Sequence, residues 1–224
     1  MAQETFHSSR RALDAITDNA ASSPLQLLGR TTIVAIPSVM LPLGTVAPPF
    51  SLHDVVKGQV YSLDSFAEKT ALLIMFICRH CPYVVHIEQE IAKIGRDYLE
   101  TGLGILAISS NDAVGYPDDA PPKLKEMAQR LDLTFPFCHD ETQEVAKAYQ
   151  AACTPDFYLF NYDRRLVYRG QPDDSRPGNN RPVTGRDLRN AIEAVLAGKP
   201  VDGAQRASIG CSIKWKHGNA PSYA

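Results

Sequence analysis

An uninterrupted apolar run followed at once by two cysteines constrains the fold of this chain more than any other feature. Residues 71–77 read ALLIMFI, and Cys78 and Cys81 follow in the run ICRHCP. Such an apolar run is typical of a strand buried on both faces of a sheet. Pro82 and the apolar residues that follow it at helical spacing predict an amphipathic helix. A CxxC pair at a strand-to-helix turn indicates a redox site.

The composition is that of an ordinary globular domain. The chain has 224 residues, of which 44% are hydrophobic and 21% charged, so it is long enough to bury a substantial core. Its 23 basic and 25 acidic residues leave a formal net charge of -2, which gives no overall attraction for nucleic acid or an anionic membrane. No segment approaches the roughly 20 apolar residues that span a bilayer. We therefore expect neither a nucleic-acid nor a membrane partner.

The cysteine count bears on the cellular compartment. The chain has 5 cysteines, so at least one thiol stays unpaired within a monomer, which suits a reducing compartment with a working dithiol. Asp14 and Asp18 fall where a secretory signal would have its apolar core. Together with Glu4 they also argue against a transit peptide, whose composition is poor in acidic residues. The sequence therefore predicts a cytoplasmic protein.

Alternating strand and helix patterns predict an α/β domain with flanking segments. An antiparallel hairpin is expected over residues 50–63, ahead of the apolar run. The further predicted strands are at 104–111, 135–138, 156–161 and 165–170, and the predicted helices start at Pro82, near Pro121, at Thr142 and near Thr184. Ser109–Asn111 would lie where strands of an open α/β sheet present ligands. The pattern divides the chain into an N-terminal extension (1–39), a domain (40–200) and a C-terminal tail (201–224).

The chemistry expected of the cysteine pair is disulfide exchange. A free thiol with a pKa of about 8.5 is only a few per cent ionised at neutral pH, so the attacking sulfur needs help. The turn places Cys78 at a helix N-terminus, where the dipole favours a negative sulfur, and Arg79 and His80 add cationic or hydrogen-bonding groups. We therefore expect Cys78 to be a partly exposed nucleophile with a lowered pKa. Cys81 would be the more buried resolving thiol.

A CxxC pair is also half of a zinc site. Residues that could complete such a site are His80, Cys138, His139 and Cys153. A zinc ribbon normally repeats its CxxC or supplies a spaced histidine pair, and the sequence has neither. The c-type haem signature needs histidine directly after the second cysteine, where this chain has Pro82. We expect no metal and no dissociable cofactor.

Several segments beyond the dithiol carry a family resemblance. They are CRHCPYVVHIE, ISSND with the nearby YPDD (116–119), DETQEVAKAYQAACTPDFYLF (140–160), YRGQPDDSRPGN (168–179) and SIGCSIKW (208–215). Through them the chain, over about residues 40–216, resembles the thioredoxin-like superfamily. Within it, the chain is similar to the peroxiredoxin-like or redoxin branch related to alkyl hydroperoxide reductase and thiol-specific antioxidant proteins. The resemblance implies a thioredoxin-like α/β fold, with a central mixed sheet flanked by helices.

The resemblance also implies a cis-proline loop at Thr154-Pro155 that faces the dithiol. Such a loop would present backbone polar groups to an extended segment of a partner, as strand-like docking requires. The loop residues are therefore part of the expected site, with Pro155 among its catalytic residues and Thr154 as an auxiliary one.

The chain departs from the family pattern at two places. Peroxiredoxins carry PxxxTxxC, but the corresponding positions before Cys78 are Ala71 and Met75, and before Cys81 they are Ile74 and Cys78. This argues against peroxidase activity. Thioredoxins have a buried acid six residues before the first cysteine, where this chain has Leu72. Proton transfer must therefore differ, through His80 or water.

Two more cysteines are candidate auxiliary thiols. Cys153 directly precedes the expected cis-proline loop and is either a small buried hydrophobic residue or a redox partner. Cys211 lies in GCSIKW, and this tail could fold back over the active site and offer Cys78 a second resolving thiol. Cys138 ends a predicted strand and is expected in the core.

These observations favour a thiol-disulfide oxidoreductase that acts on a protein or small-molecule disulfide and is restored by an external thiol reductant. Two alternatives stay open. One is a thiol-dependent peroxidase, in which peroxide oxidises Cys78 to a sulfenic acid that Cys81 resolves. The other is a non-catalytic copper or zinc module that uses Cys78, Cys81 and a histidine.

Overall fold

The computed structural model describes residues 35–224, so most of the predicted N-terminal extension lies outside the described residues. The strands are β1 (Ala35–Pro37), β2 (Ser51–Asp54), β3 (Val60–Ser62), β4 (Ala71–Phe76), β5 (Leu103–Ser109), β6 (Phe137–His139), β7 (Cys153–Thr154), β8 (Asp156–Phe160), β9 (Leu166–Gly170) and β10 (Ile209–Ser212). The helices are α1 (Pro82–Asp97), α2 (Pro121–Arg130), α3 (Glu144–Ala148) and α4 (Arg186–Leu196). None of the helices in this described part combines the length and apolarity needed to cross a membrane.

Seven strands form one mixed sheet, in the order β3-β2-β6-β5-β4-β8-β9. The neighbours β4 and β5, and β5 and β6, are parallel, whereas the other neighbouring pairs are antiparallel. Residues of α1, α2 and α4 belong to the apolar cluster on one face of this sheet, and residues of α3 belong to the cluster on the other. The predicted mixed sheet with flanking helices is confirmed.

The predicted buried strand, β4, is central because its side chains are apolar on both faces. Leu73 and Met75 belong to the cluster that contains the buried residues of α1 and α4. Leu72, Ile74 and Phe76 point the other way, into a cluster rich in tyrosine and phenylalanine. Every residue of β4 is buried. The residues after Phe76 are therefore held by a rigid strand at the centre of the domain.

A second, three-stranded sheet in the order β1-β10-β7 is a feature that the sequence patterns did not predict. Its middle strand, β10, comes from the C-terminal tail and pairs antiparallel with both neighbours. Cys211 lies opposite Ala35 on one side and opposite Thr154 on the other. The tail strand is therefore fixed beside the residue that precedes Pro155.

The boundaries of three predicted elements are corrected. The strand expected at 135–138 is β6, which starts two residues later, and the helix expected from Thr142 is reduced to α3. The last helix begins at Arg186, after the left-handed Gly185, rather than in a capping box at Thr184. The reason is Asp173, whose Oδ2 accepts hydrogen bonds of 2.6 Å from the backbone N–H groups of Thr184 and Gly185.

Candidate active site

The two cysteines lie between the end of β4 and the start of α1. Helix α1 begins at Pro82, whose fixed φ and missing N–H suit the first helical position. Cys81 is consequently the N-cap residue, and Cys78 lies three residues before it. The sequence placed Cys78 at the helix N-terminus, and this is corrected: the position nearest the helix dipole belongs to Cys81.

The peptide bond between Thr154 and Pro155 is cis, and this loop contacts both sulfurs. The Sγ of Cys78 is 3.3 Å from Oγ1 of Thr154, and the Sγ of Cys81 donates to the carbonyl oxygen of Thr154 at 3.1 Å. Thr154 therefore lies against the dithiol, and the cis bond that the resemblance implied joins it to Pro155. Their part in catalysis stays a prediction.

Both cysteines of the pair are buried, since the exposure of Cys78 and of Cys81 is 0%. The expectation of a partly exposed Cys78 next to a more buried Cys81 is wrong. The cis-proline loop contacts both sulfurs, and the tail strand β10 pairs with β7 of this loop. A disulfide substrate can therefore reach Cys78 only after a local displacement of the residues that surround it.

The tail strand occupies the edge of the cis-proline loop. The sequence analysis assigned this edge to an extended segment of a partner, but β10 pairs with β7 there, with Cys211 opposite Thr154. The pairing continues into the backbone N–H of Ile213, which donates to the carbonyl of Ala152 at 2.9 Å. In this conformation the chain supplies the docking strand itself.

Cys211 lies beside Cys81 and not, as expected, beside Cys78. The proximity of the Cys211 side chain is the first cause that lowers the pKa of Cys81. The pKa of Cys211 is raised, first by its hydrogen bond with Cys81 and then by burial. The tail therefore adds a third sulfur to the site, on the Cys81 side.

In the reduced site, Cys81 ionises more readily than Cys78. Hydrogen bonds with Cys211 and then with Cys78 lower its pKa. The contact with Cys81, followed by burial and by the negative charge of Asp119, raises the pKa of Cys78. The lowered pKa expected for Cys78 is therefore wrong, because Cys81 takes the N-cap position and the hydrogen bonds of its neighbours.

His80 is held by a carboxylate that the sequence analysis did not identify. Its Nδ1 is 2.5 Å from Oδ2 of Asp119, whose exposure is 0%. Asn111 Nδ2 donates to the same oxygen at 2.7 Å, and the Arg79 backbone N–H donates to the other oxygen at 2.8 Å. The hydrogen bond with Asp119 raises the pKa of His80, and burial lowers it by less. The raised pKa favours the protonated form of His80 next to the dithiol.

The side chains of Arg79 and Tyr116 complete the surroundings of His80. The Arg79 guanidinium pairs with Asp118, at 3.2 Å, so its charge is shared with that carboxylate. The hydrogen bonds of Arg79 in the described structure are with Asp119, through its backbone, and with Asp118, through its side chain. The ring of Tyr116 stacks on His80 with centroids 5.6 Å apart, and Nζ of Lys214 in the tail lies 5.8 Å from the Tyr116 centroid.

The other candidate residues are spread over the molecule. Cys138 packs on the opposite face of the main sheet, where burial raises its pKa to about 12. Cys153 is buried with its sulfur 3.8 Å from the carbonyl oxygen of Pro155. His139 lies in β6, which is separated from β4 by β5. The structure thus leaves Cys138 and His139 outside the site.

The metal alternative fits these side chains poorly. In the described part of the chain, the group of possible donors at this site is Cys78, His80 and Asp119, with ligand atoms within 4.8 Å of one another. This differs from the expected set, which contained Cys81. Both oxygens of Asp119 already accept hydrogen bonds, from Asn111 and from the Arg79 backbone. The donors therefore satisfy one another without an ion.

Asp119→Asn should lower the pKa of the His80 ring to its ordinary value of 6.5 or below, because Asp119 is the main cause that raises it. An NMR titration of the His80 ring would measure this change. The matched control is Asp118→Asn, which removes the partner of Arg79 and leaves Asp119 in place. If His80 titrated identically in wild type and Asp119→Asn, the carboxylate would not be tuning it.

The strand-to-helix dithiol, the facing cis-proline and the mixed sheet define a protein of the thioredoxin-like fold. The Redoxin family profile matches residues 42–188, and the chain belongs to that family. Among proteins of known function, it is 28% identical over 123 residues to the thiol-disulfide oxidoreductase ResA of Geobacillus kaustophilus. This match spans 53% of this chain and 63% of that relative's length.

Solved structures support the fold. An uncharacterized conserved protein from Geobacillus kaustophilus is 53% identical, with a TM-score of 0.80, over 82% of this chain and 97% of that one. A hypothetical protein from Sinorhizobium meliloti is 47% identical, also with a TM-score of 0.80, over 81% and 99% of the two chains. The thioredoxin domain of a thiol-disulfide oxidoreductase from Bacteroides vulgatus shares 21% identity and the fold, with a TM-score of 0.55 over 70% and 99%.

Proposed function

We propose that this protein is a thiol-disulfide oxidoreductase in which Cys78 attacks a substrate disulfide and Cys81 resolves the mixed disulfide. The observation that carries the proposal is the contact of both sulfurs with the cis-proline loop, beside a histidine held by Asp119. The similarity to ResA supports the same class of reaction. Protein and small-molecule disulfides are both candidate substrates.

Cys78 is assigned as the nucleophile because of what lies next to each sulfur. Cys78 belongs to the group with His80 and Asp119, and the His80 side chain is 28% exposed, so the residue beside the buried Cys78 reaches solvent. Cys81 instead contacts the backbone of Thr154 and the third sulfur, at Cys211. A substrate that approaches past His80 would therefore meet Cys78 first.

The proposed reaction balances without a cofactor. As Cys78 attacks, its proton passes to the Cys81 thiolate, the substrate S–S bond breaks, and the first substrate thiolate leaves. His80 donates a proton to that thiolate and then takes the proton of the Cys81 thiol. Cys81 thereby becomes a thiolate again. The Cys81 thiolate then attacks the Cys78 sulfur and releases the second substrate thiolate. An external thiol then reduces the Cys78–Cys81 disulfide. We also propose the cytoplasmic location that the sequence predicts.

A second candidate function, thiol peroxidase, has one observation in its favour. The sequence lacks the peroxiredoxin threonine, yet Oγ1 of Thr154 is 3.3 Å from the Cys78 sulfur. A peroxide would oxidise the Cys78 thiolate to a sulfenic acid, which the Cys81 thiol would convert to a disulfide and water. The raised pKa of Cys78 bears equally on both reactions, because each requires Cys78 to lose its proton before its sulfur attacks.

Separate turnover assays distinguish the two functions, with dithiothreitol as the thiol donor and either a peptide disulfide or hydrogen peroxide as the oxidant. We expect wild type to accelerate disulfide reduction and Cys78→Ser and Cys81→Ser to fall to the uncatalysed rate. Cys138→Ala is the matched control and should retain turnover, because Cys138 lies on the other face of the sheet. Peroxide consumption that exceeds disulfide reduction and is lost in Cys78→Ser would establish the peroxidase instead.

A further inference from the structure

We propose that Cys211 is a third redox thiol, which receives the disulfide from the dithiol by forming a bond with Cys81. This inference rests on the proposed function, because it takes the Cys78–Cys81 disulfide as its starting point. It assigns the tail strand a chemical role: Cys211 is presented to the dithiol on a strand paired with the cis-proline loop, in the place of a partner's cysteine.

The strand register directs Cys211 toward the dithiol. Residues directly opposite each other in an antiparallel pair project from the same face, and Cys211 lies opposite Thr154. The hydroxyl of Thr154 contacts the Cys78 sulfur, so this face is the one that meets the dithiol. Cys153 is one residue earlier in β7 and therefore projects from the other face. The register thus selects Cys211, and not Cys153, as the auxiliary thiol.

The tail strand lies very close to the cis-proline loop. A Cβ atom at Gly210 would be 2.0 Å from the carbonyl oxygen of Thr154, so only glycine permits β10 to lie this near the loop. That same carbonyl oxygen is 3.1 Å from the Cys81 sulfur. The exposure of Cys211 is 5%, and its sulfur is in the same apolar cluster as Cys78 and Cys81. Cys211 and Cys81 are therefore neighbours in a site shielded from water.

The transfer is an exchange within the protein and needs no further oxidant. The Cys211 thiolate attacks the Cys81 sulfur of the Cys78–Cys81 disulfide, a bond forms between Cys81 and Cys211, and Cys78 leaves as a thiolate. Cys211 is thereby oxidised from thiol to disulfide while Cys78 is reduced from disulfide to thiol, and the proton lost by Cys211 is taken up at Cys78. Cys78 is then a thiol again, and the disulfide joins Cys81 and Cys211.

The charge on Cys81 sets the order of the two steps. In the reduced protein the contact with Cys81 is the main cause that raises the pKa of Cys211, so Cys211 stays protonated. Once Cys81 is in a disulfide it carries no charge, and this cause disappears. Burial continues to raise the pKa of Cys211, but the thiol loses its proton more readily than in the reduced protein. Oxidation of the dithiol therefore favours attack by the third thiol.

Peptide mapping tests the transfer directly, because trypsin places each of the 5 cysteines on a different peptide. The peptides that matter are 70–79 with Cys78, 80–93 with Cys81 and 207–214 with Cys211. The reduced full chain is oxidised with oxidised glutathione, quenched in acid at a series of times and digested without reduction. We expect the pair 70–79 with 80–93 to form first, and the pair 80–93 with 207–214 to grow in as the first declines.

Variants separate the outcomes. Cys211→Ala should form the first pair and stop there, whereas the control Cys153→Ala should form both pairs with wild-type kinetics. If only the first pair forms in wild type, or if 207–214 is found joined to 70–79 instead, the transfer to Cys211 is refuted while the dithiol reaction stands. If 70–79 and 80–93 never become linked, the proposed function itself fails.

Discussion

Gly210→Ala is expected to destabilise the protein by about 2 to 3 kcal/mol, the upper part of the range for an overpacked site. The added Cβ would lie 2.0 Å from the carbonyl oxygen of Thr154, 2.6 Å from its carbonyl carbon and 3.2 Å from Cδ of Pro155. Backbone atoms cannot rotate out of the way as the end of a flexible side chain can. The variant must therefore move β10 away from the cis-proline loop.

Urea unfolding of wild type and Gly210→Ala measures this effect. Gly203→Ala is the matched control, because a Cβ there would meet nothing within 4 Å and should change stability by less than about 0.5 kcal/mol. Displacing β10 should also speed alkylation of Cys81 by iodoacetamide, since the strand covers that sulfur. Equal stability and equal alkylation of the two variants would contradict the close packing of the tail.

Asp156→Asn is expected to remove a large part of the pH dependence of stability. Burial raises the pKa of Asp156 to about 7, although Tyr158 and Ser38 donate to its carboxylate at 2.8 and 2.9 Å. Between about pH 4 and pH 7 the folded protein therefore keeps a proton that the unfolded chain releases. Because the folded state binds the extra proton, stability from this group is greatest below about pH 4 and falls by about 4 kcal/mol as the pH rises to 7.

The test is the difference in the free energy of unfolding between wild type and Asp156→Asn, measured in urea at several pH values from 4 to 8. Asparagine cannot ionise, so wild type should lose stability relative to the variant across this range, and the difference should level off above pH 8. Asp163→Asn, at an exposed turn, is the control for removing one acidic residue. Parallel pH curves for wild type and Asp156→Asn would mean that the carboxyl is not protonated in the fold.

The sequence predicts the parts of the fold that depend on local patterns. Strand β4 is a continuous apolar run, β8 is apolar after Asp156, and α1 begins at a proline followed by apolar residues at helical spacing, so each could be recognised alone. The sheet that contains β1, β7 and β10 could not, because its strands have two to four residues and no periodicity. These strands form because segments that are distant in the sequence pair with one another, and a local sequence pattern does not predict such pairing.

The candidate site divides in the same way. The spacing of Cys78 and Cys81 could be read directly, but the partner of His80 is Asp119, which is brought close only by the fold of the segment after β5. The segments ISSND and YPDD were signals for this region, since they contain Asn111 and Asp119, but nothing in them assigned a partner. The raised pKa of Cys78 depends first on the neighbouring Cys81 and then on burial, and neither can be read from the local sequence.

The most direct test of the central claim identifies the sulfur that attacks first. Reduced Cys81→Ser and Cys78→Ser are mixed separately with a peptide disulfide, quenched in acid at short times and digested with trypsin. The claim predicts rapid formation of a mixed disulfide on peptide 70–79 in Cys81→Ser, and a much slower adduct on peptide 80–93 in Cys78→Ser. A faster adduct on Cys81 in Cys78→Ser would contradict it, since the nucleophile would then be the thiolate beside Cys211.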